Sequence, residues 1–299
     1  MSTQTPVIYK KKRMPIGRWL ITLGWKHLVA WFLVAFALFP IVYIISTSLS
    51  SANGLSSTQL FHEFYWENYV KIFQDPTRPF GLWYWNTVYI AMVSAFFSVA
   101  ISAFAAFAFS RLRFKGRRAS LLSLILLQMF PSALGLVAVY SILSSLSKVL
   151  PNLNLGLNSH LGLILVYLGG SLGGGTYLMY GFFNTVPTEI DEAARIDGAT
   201  HTVIFWTIIM RLVAPILAVQ MLLTFIGISS DYLLPAIALD PVELKTLATG
   251  LQGFISDPYS KDWALFCAGS VMAAFPTVAL FLYLQRYIVS GLISGAVKG

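Results

Sequence analysis

Few residues in this chain are placed to do chemistry. His27, His62, His160 and His201 are scattered, with no H-E-x-x-H pair and no nucleophile beside a base. Cys267 is the single cysteine, so no internal disulfide can form. No G-x-x-x-x-G-K-[ST] loop is present to cradle a nucleotide. The most informative group of charges is Pro187-Thr188-Glu189-Ile190-Asp191-Glu192-Ala193-Ala194-Arg195-Ile196-Asp197-Gly198-Ala199-Thr200. Thr188 and Asp191 have capping-box spacing, and the acids crowd the first turn, where a helix dipole favours them. Glu192, Ala193, Ala194 and Arg195 are good helix formers, and Gly198 can end the helix in a left-handed conformation. The spacing therefore predicts a short helix over about 188–198. Its chemistry would be recognition, since small side chains let a partner surface approach and acids can meet basic groups on it. A docking helix and an ordinary surface helix fit these residues equally well.

The elements that must carry this helix are apolar. Of 299 residues, 57% are hydrophobic and 11% charged, too few charges to cover a soluble domain of this length. Six apolar segments stand out, about 27–49, 84–110, 119–146, 160–183, 207–230 and 263–289. Each is long enough for a helix to cross a hydrocarbon layer of ~30 Å. The runs are apolar on all sides, which argues against spanning strands. The expected fold is all-α, a polytopic membrane protein of six transmembrane helices in one domain over 27–289. A basic N-terminal segment, 1–26, precedes it and a tail, 290–299, follows. The first apolar run is too long for a signal-peptide core and lacks a small-residue cleavage site, so it reads as an uncleaved span.

Charge asymmetry orients the spans. With both termini inside, 15 of the Lys and Arg residues fall on the inner side and five on the outer. The inner set includes Lys10 to Arg13, Arg111, Arg113, Arg117, Arg195 and Arg211. The net charge of +8 is thus a membrane signature, with no aromatic-interleaved basic patch for nucleic acid. The outer loop of about 50–83 is rich in aromatics (Phe61, Phe64, Tyr65, Trp66, Tyr69), which suit a short interfacial helix. The loop of about 231–262 is long enough to suggest a function.

Within the spans there is almost no ionisable residue, and Arg211 and Asp231 lie near opposite ends of the fifth. A proton-coupled carrier would bury a carboxylate or histidine relay near the midplane. Asn86, Gln128 and Gln220 are the polar candidates there. They fit either a cavity for a hydroxyl-rich solute or hydrogen bonding between helices. Gly169 to Gly175 contains two G-x-x-x-G spacings, for a tight helix contact or a hinge. Pro40, Pro131, Pro215 and Pro276 each favour a kink.

Glu192-Ala193-Ala194, three residues, Gly198, nine residues and Ile208 together resemble the EAA loop of ABC importer permeases. Glu67-Asn68-Tyr69 is similar to the family's segment before the second span. Asp197-Gly198-Ala199-Thr200 is typical of carbohydrate-type members, and Thr246 to Gln252 with the ending Gln285 to Gly299 is similar to the maltose/maltodextrin branch. The chain departs from the pattern at Ile208-Ile209-Met210-Arg211, where the family has Ile-x-Leu-Pro; the next proline is Pro215.

The resemblance implies a multi-pass permease subunit of the cell (inner/cytoplasmic) membrane, importing maltose, maltodextrin or a related oligosaccharide. It also implies a second homologous permease, two ATPase subunits and an extracellular or periplasmic sugar-binding protein as partners. No cofactor or metal would bind this chain; ATP and Mg would be used by the ATPase subunits. Asp191, Glu192, Ala193, Ala194, Arg195 and Gly198 would couple to the ATPase. Gly295, Val297, Lys298 and Gly299 would touch it from the tail, and the loop 236–262 would reach toward the binding protein. The rival reading is an ATP-independent secondary transporter or channel, which would show internal repeats and broken helices around a midplane site.

Overall fold

The structure is a computed structural model describing residues 15–51, 60–257, 259 and 261–296. Those residues form helices and connecting turns, with no strand among them. In chain order the principal helices are α1 (Trp25–Ser48), α2 (Asn68–Gln74), α3 (Phe80–Arg111), α4 (Arg117–Gln128) and α5 (Ser132–Val149). Then come α6 (His160–Ser171), α7 (Gly174–Phe183), α8 (Thr188–Ile196), α9 (His201–Leu212) and α10 (Ala214–Ser229). The chain ends with α11 (Leu233–Ala238), α12 (Leu247–Gln252) and α13 (Trp263–Ala296). Three continuous helices can cross a membrane by length and composition; counting the bent pairs α4/α5, α6/α7 and α9/α10 as one span each gives six. The six expected segments match these, with boundaries shifted by a few residues.

One helix organises the rest. Half of the most apolar stretch of α3 is buried, against 17% for α13 and none for α1. The cause is a face of small residues. Ser94, Ser98, Ser102 and Ala106 recur every fourth position, alongside Ala91, Ala95 and Ala103, and all are buried. Such spacing lets helix backbones approach closely where no hydrophobic force distinguishes a neighbour from lipid. α6, α7 and α10 pack against α3, while α1 lies outside, against α13.

The bent pairs have different causes. α4 and α5 turn by 102° where Pro131 precedes α5. α9 and α10 turn by 76° at Val213, with Pro215 in the first turn of α10, so the bend forms without a proline at Arg211. Proline suits a first helical turn because its missing N–H has no partner to lose there. α6 and α7 turn by 45° at Leu172 and Gly173, with no proline at all. Pro40 and Pro276 lie inside unbroken helices.

At the end of the bundle far from α8, the segment after α10 folds back onto α3. Trp83 Nε1 donates to the Val242 carbonyl at 2.7 Å, and Asn86 Nδ2 to those of Glu243 and Lys245 at 2.8 and 3.0 Å. The Leu247 amide donates to Thr87 Oγ1 at 2.6 Å, and His160 Nε2 lies 3.0 Å from the Leu244 carbonyl. The expected interfacial helix is α2; Asn68 ties it to α1 through the Ser48 and Ser50 carbonyls at 2.9 and 2.8 Å.

Gly250 of α12 meets the buried Trp83 ring so closely that a Cβ would stand 2.2 Å from its Cε3. Gly250→Ala is expected to lose about 1–3 kcal/mol through overpacking. Gly181→Ala on α7, where a Cβ meets nothing within 4 Å, is expected to leave the melting temperature unchanged or raise it. Scanning fluorimetry of both variants in detergent checks the contrast.

Candidate functional site

α8 begins two residues after Thr185 and Val186 end the turn that follows α7, with Pro187 as its N-cap. The expected Thr188–Asp191 capping box does not form: no side chain caps the helix, and Asp191 points into the protein. Asp191 Oδ2 stands 2.5 Å from Arg111 Nε at the end of α3, with both side chains 4% exposed. Arg111 Nη2 also donates to the Val186 carbonyl at 2.8 Å, and Ser110 Oγ to Asn184 Oδ1 at 2.8 Å. The last residues of α3 thus hold both the entry to α8 and its first turn.

The other end of α8 closes as expected. Gly198 has φ +84°, its amide donates to the Arg195 carbonyl at 3.0 Å, and Ala199 N–H to the Ala194 carbonyl at 2.9 Å. These two bonds form a Schellman motif, and the left-handed residue favours glycine. At 100° per residue, Asp191 and Ala194 face the protein, while Glu189, Glu192, Ala193 and Ile196 share the opposite face. That outer face is exposed, Ile196 to 87%. Of the expected coupling residues, Glu192 and Ala193 lie on the outer face, and Arg195 on the flank. Asp191, Ala194 and Gly198 build the helix and its anchor.

The polar candidates in the spans separate. Gln128 and Gln220 converge on the break between α6 and α7. A Cβ on Gly174 would lie 2.9 Å from Gln128 Oε1, and one on Gly175 would lie 2.8 Å from Gln220 Nε2 and 2.7 Å from Ser102 Oγ. Ser102 Oγ donates to the Ser171 carbonyl at 3.0 Å, using a backbone acceptor freed near the break. Thr176 Oγ1, in the first turn of α7, is buried without a hydrogen-bond partner among the described residues. Asn86 stands apart: of the two roles its type allowed, its amide takes the bridging one, bonded to the outer segment, which it braces. Gly295 falls in the last turn of α13, and Val297, Lys298 and Gly299 lie outside the described residues. The anchoring role of Arg111 and its helix was missed from the sequence; the four-residue repeat of small side chains on α3 was a signal that could have marked that helix.

The fold is that of a polytopic helical membrane protein, three of whose six candidate spans are bent pairs, with a short polar helix braced against its core. The chain belongs to the family of binding-protein-dependent transport system inner membrane components, which matches residues 98–290. It is 40% identical to the maltodextrin transport system permease protein MdxG of Bacillus subtilis, over 88% of this chain and 91% of that protein. It is 35% identical to the maltose/maltodextrin transport system permease protein MalG of Photorhabdus laumondii, over 91% and 95%. A chain of a bacterial ABC transporter involved in import of the acidic polysaccharide alginate superposes with a TM-score of 0.73. That likeness covers 92% of this chain and 99% of the other at 23% identity, and bears on the fold. A chain from a crystal structure of a bacterial alginate ABC transporter in complex with an alginate pentasaccharide-bound periplasmic protein gives a TM-score of 0.64 at 18% identity, covering 91% and 94%.

Arg111→Ala would leave the Asp191 carboxylate buried and unpaired, and is expected to destabilise the protein by roughly 3–5 kcal/mol. The double variant Arg111→Ala/Asp191→Ala is expected to lose clearly less than the sum of the two single changes. A double-mutant cycle by denaturant unfolding checks this, and additive losses would rule the coupling out.

Proposed function

We propose that this chain is one permease subunit of an ATP-driven importer for maltodextrin or a related oligosaccharide, with α8 as the helix through which ATPase subunits drive it. The observation that carries the reading is the buried pair of Arg111 and Asp191 beneath an exposed face of Glu189, Glu192, Ala193 and Ile196. A partner pressing on that face would move α8 as a body. Because the first turn of α8 is held by the end of α3, the push would pass to the helix on which α6, α7 and α10 pack. Rigid-body rocking of this kind is an established switching class. To move a two-state equilibrium from 1:99 to 99:1, the driving ligand needs about 5.5 kcal/mol of differential affinity.

The relatives and the sequence support the rest of the reading. The α8 end would face the cytoplasm with both termini, in line with the Lys and Arg asymmetry. ATP and Mg would be used by two ATPase subunits, since this sequence carries no phosphate-binding loop of its own. A second permease would complete the pathway and a sugar-binding protein would dock on the opposite face, beside the 231–262 segment. The tail residues Gly295, Val297, Lys298 and Gly299 would lie against the ATPase. Bent spans also suit a secondary transporter. The carbohydrate-permease relatives and the absence of an ionisable group at the α6/α7 break favour the importer.

Two experiments test this. Tagged chain purified from its native membrane is expected to bring down an ATPase and a second permease. Gly198→Asp strains the left-handed position and adds a charge at the docking end, so it is expected to lose the ATPase or at least tenfold of sugar-stimulated hydrolysis. Wild type without any ATPase in mild detergent would hand the case to the ATP-independent reading. Gln128→Leu and Gln220→Leu are each expected to raise the sugar concentration for half-maximal transport about fivefold, as for one lost hydrogen bond of ~1 kcal/mol. Unchanged transport in both variants would remove the α6/α7 break from the sugar path.

A further inference from the structure

On the flank of α8, between its docking face and the protein, lies a cavity of about 630 Å³. Its walls come from the end of α3, the turn that leads to α4, α8 and the start of α9. Arg111, Arg113, Arg117, Arg195 and His201 line it, against the carboxylates of Asp191 and Glu192. Arg111 is committed to Asp191, and Arg117 Nη2 lies 3.3 Å from the Tyr180 hydroxyl. The Arg113 and Arg195 side chains have no hydrogen-bond or ion-pair partner among the described residues. With Arg111 and Asp191 cancelling, three guanidinium groups face one carboxylate, Glu192, before His201 is counted.

We propose that this cavity binds a phosphate-bearing anion, and that in the membrane its occupant is the headgroup of an anionic phospholipid. A cavity lined mainly by guanidinium groups has a positive potential that attracts an anion. The planar guanidinium fork matches phosphate oxygens in pairs, which a lysine cannot do. The position suits a lipid. α3 has 32 residues, so it runs ~48 Å and brings its end to headgroup depth in a bilayer ~40–45 Å thick. Leu112 and Phe114, 37% and 43% exposed on the turn that walls the cavity, offer apolar surface to acyl chains. Basic pockets at this depth on the inner side of membrane proteins take such headgroups. Glu192 is shared between the cavity and the outer face of α8. An anion bridging Arg113 and Arg195 would tie the turn to α8 and stiffen the same connection that Arg111 makes.

The test uses the full chain alone and so does not depend on any ATPase partner. Native mass spectrometry would follow phosphatidylglycerol and phosphatidylcholine added to the purified protein in detergent, with millimolar inorganic phosphate as competitor. Wild type is expected to retain one phosphatidylglycerol in preference to phosphatidylcholine. Arg113→Gln/Arg195→Gln is expected to weaken that retention about tenfold, while Arg78→Gln/Lys148→Gln at the far end leaves it unchanged. Retention that resists phosphate identifies the lipid as occupant; displacement by phosphate identifies a soluble phosphate, and either outcome upholds the anion site. Equal retention and equal phosphate response in wild type and the glutamine pair would overturn the proposal. If the glutamine pair does not purify as a single species, Arg113→Lys/Arg195→Lys keeps the charge and removes the fork. It is expected to retain less lipid than wild type, and equal retention would again overturn the proposal.

Discussion

Two charges withdrawn from water connect the short polar helix to the centre of the bundle. Removing Arg111 and Asp191 from solvent carries a penalty of several kcal/mol per ion, offset only by close pairing and further hydrogen bonds. Arg111 meets that condition by also donating to the Val186 carbonyl, and Ser110 secures Asn184 beside it, whereas Asp191 Oδ1 is buried with no hydrogen-bond partner among the described residues. Replacing the pair with apolar side chains would hold the two helices together, but it would not specify which turn of α8 meets which residue of α3. The pair supplies that register, and with it the direction in which the outer face of α8 points.

The mechanical character of the bundle follows from where that pair is attached. α3 is unbroken over its 32 residues and its small-residue face is closely packed, while three of the spans around it are bent. A rigid post surrounded by broken helices gives a displacement at one end somewhere to go. Glycine, rather than proline, makes the α6/α7 break, and the neighbouring polar side chains close against it, so that a Cβ on Gly175 would stand 2.7 Å from Ser102 Oγ. At the opposite end, Trp83, Asn86 and Thr87 hold the 231–262 segment to the same helix. α3 therefore touches both faces of the molecule through specific hydrogen bonds.

Much of this was legible in the chain. Long apolar runs can satisfy their backbone groups in lipid only as helices, so the number and placement of the spans followed from composition and length. The end of α8 was legible because Gly198 and its two closing bonds are local, within five residues of one another. The kinship with importer permeases rested on local patterns as well, around Glu192-Ala193-Ala194 and at Asp197 to Thr200.

What the sequence could not decide was which partner each polar side chain would take. Asp191 has the spacing of a capping residue, and only the arrival of Arg111, 80 positions earlier, turns it inward. Asn86 reads as a cavity residue or a bridge between helices until carbonyls more than 150 residues away claim its amide. Gln128 and Gln220 become neighbours of one glycine break only when three spans assemble around it. Local backbone preference and the demand to bury apolar surface act over a few residues, so they can be read along the chain. The satisfaction of buried polar groups is a pairing problem across the whole molecule, and packing alone determines its solution.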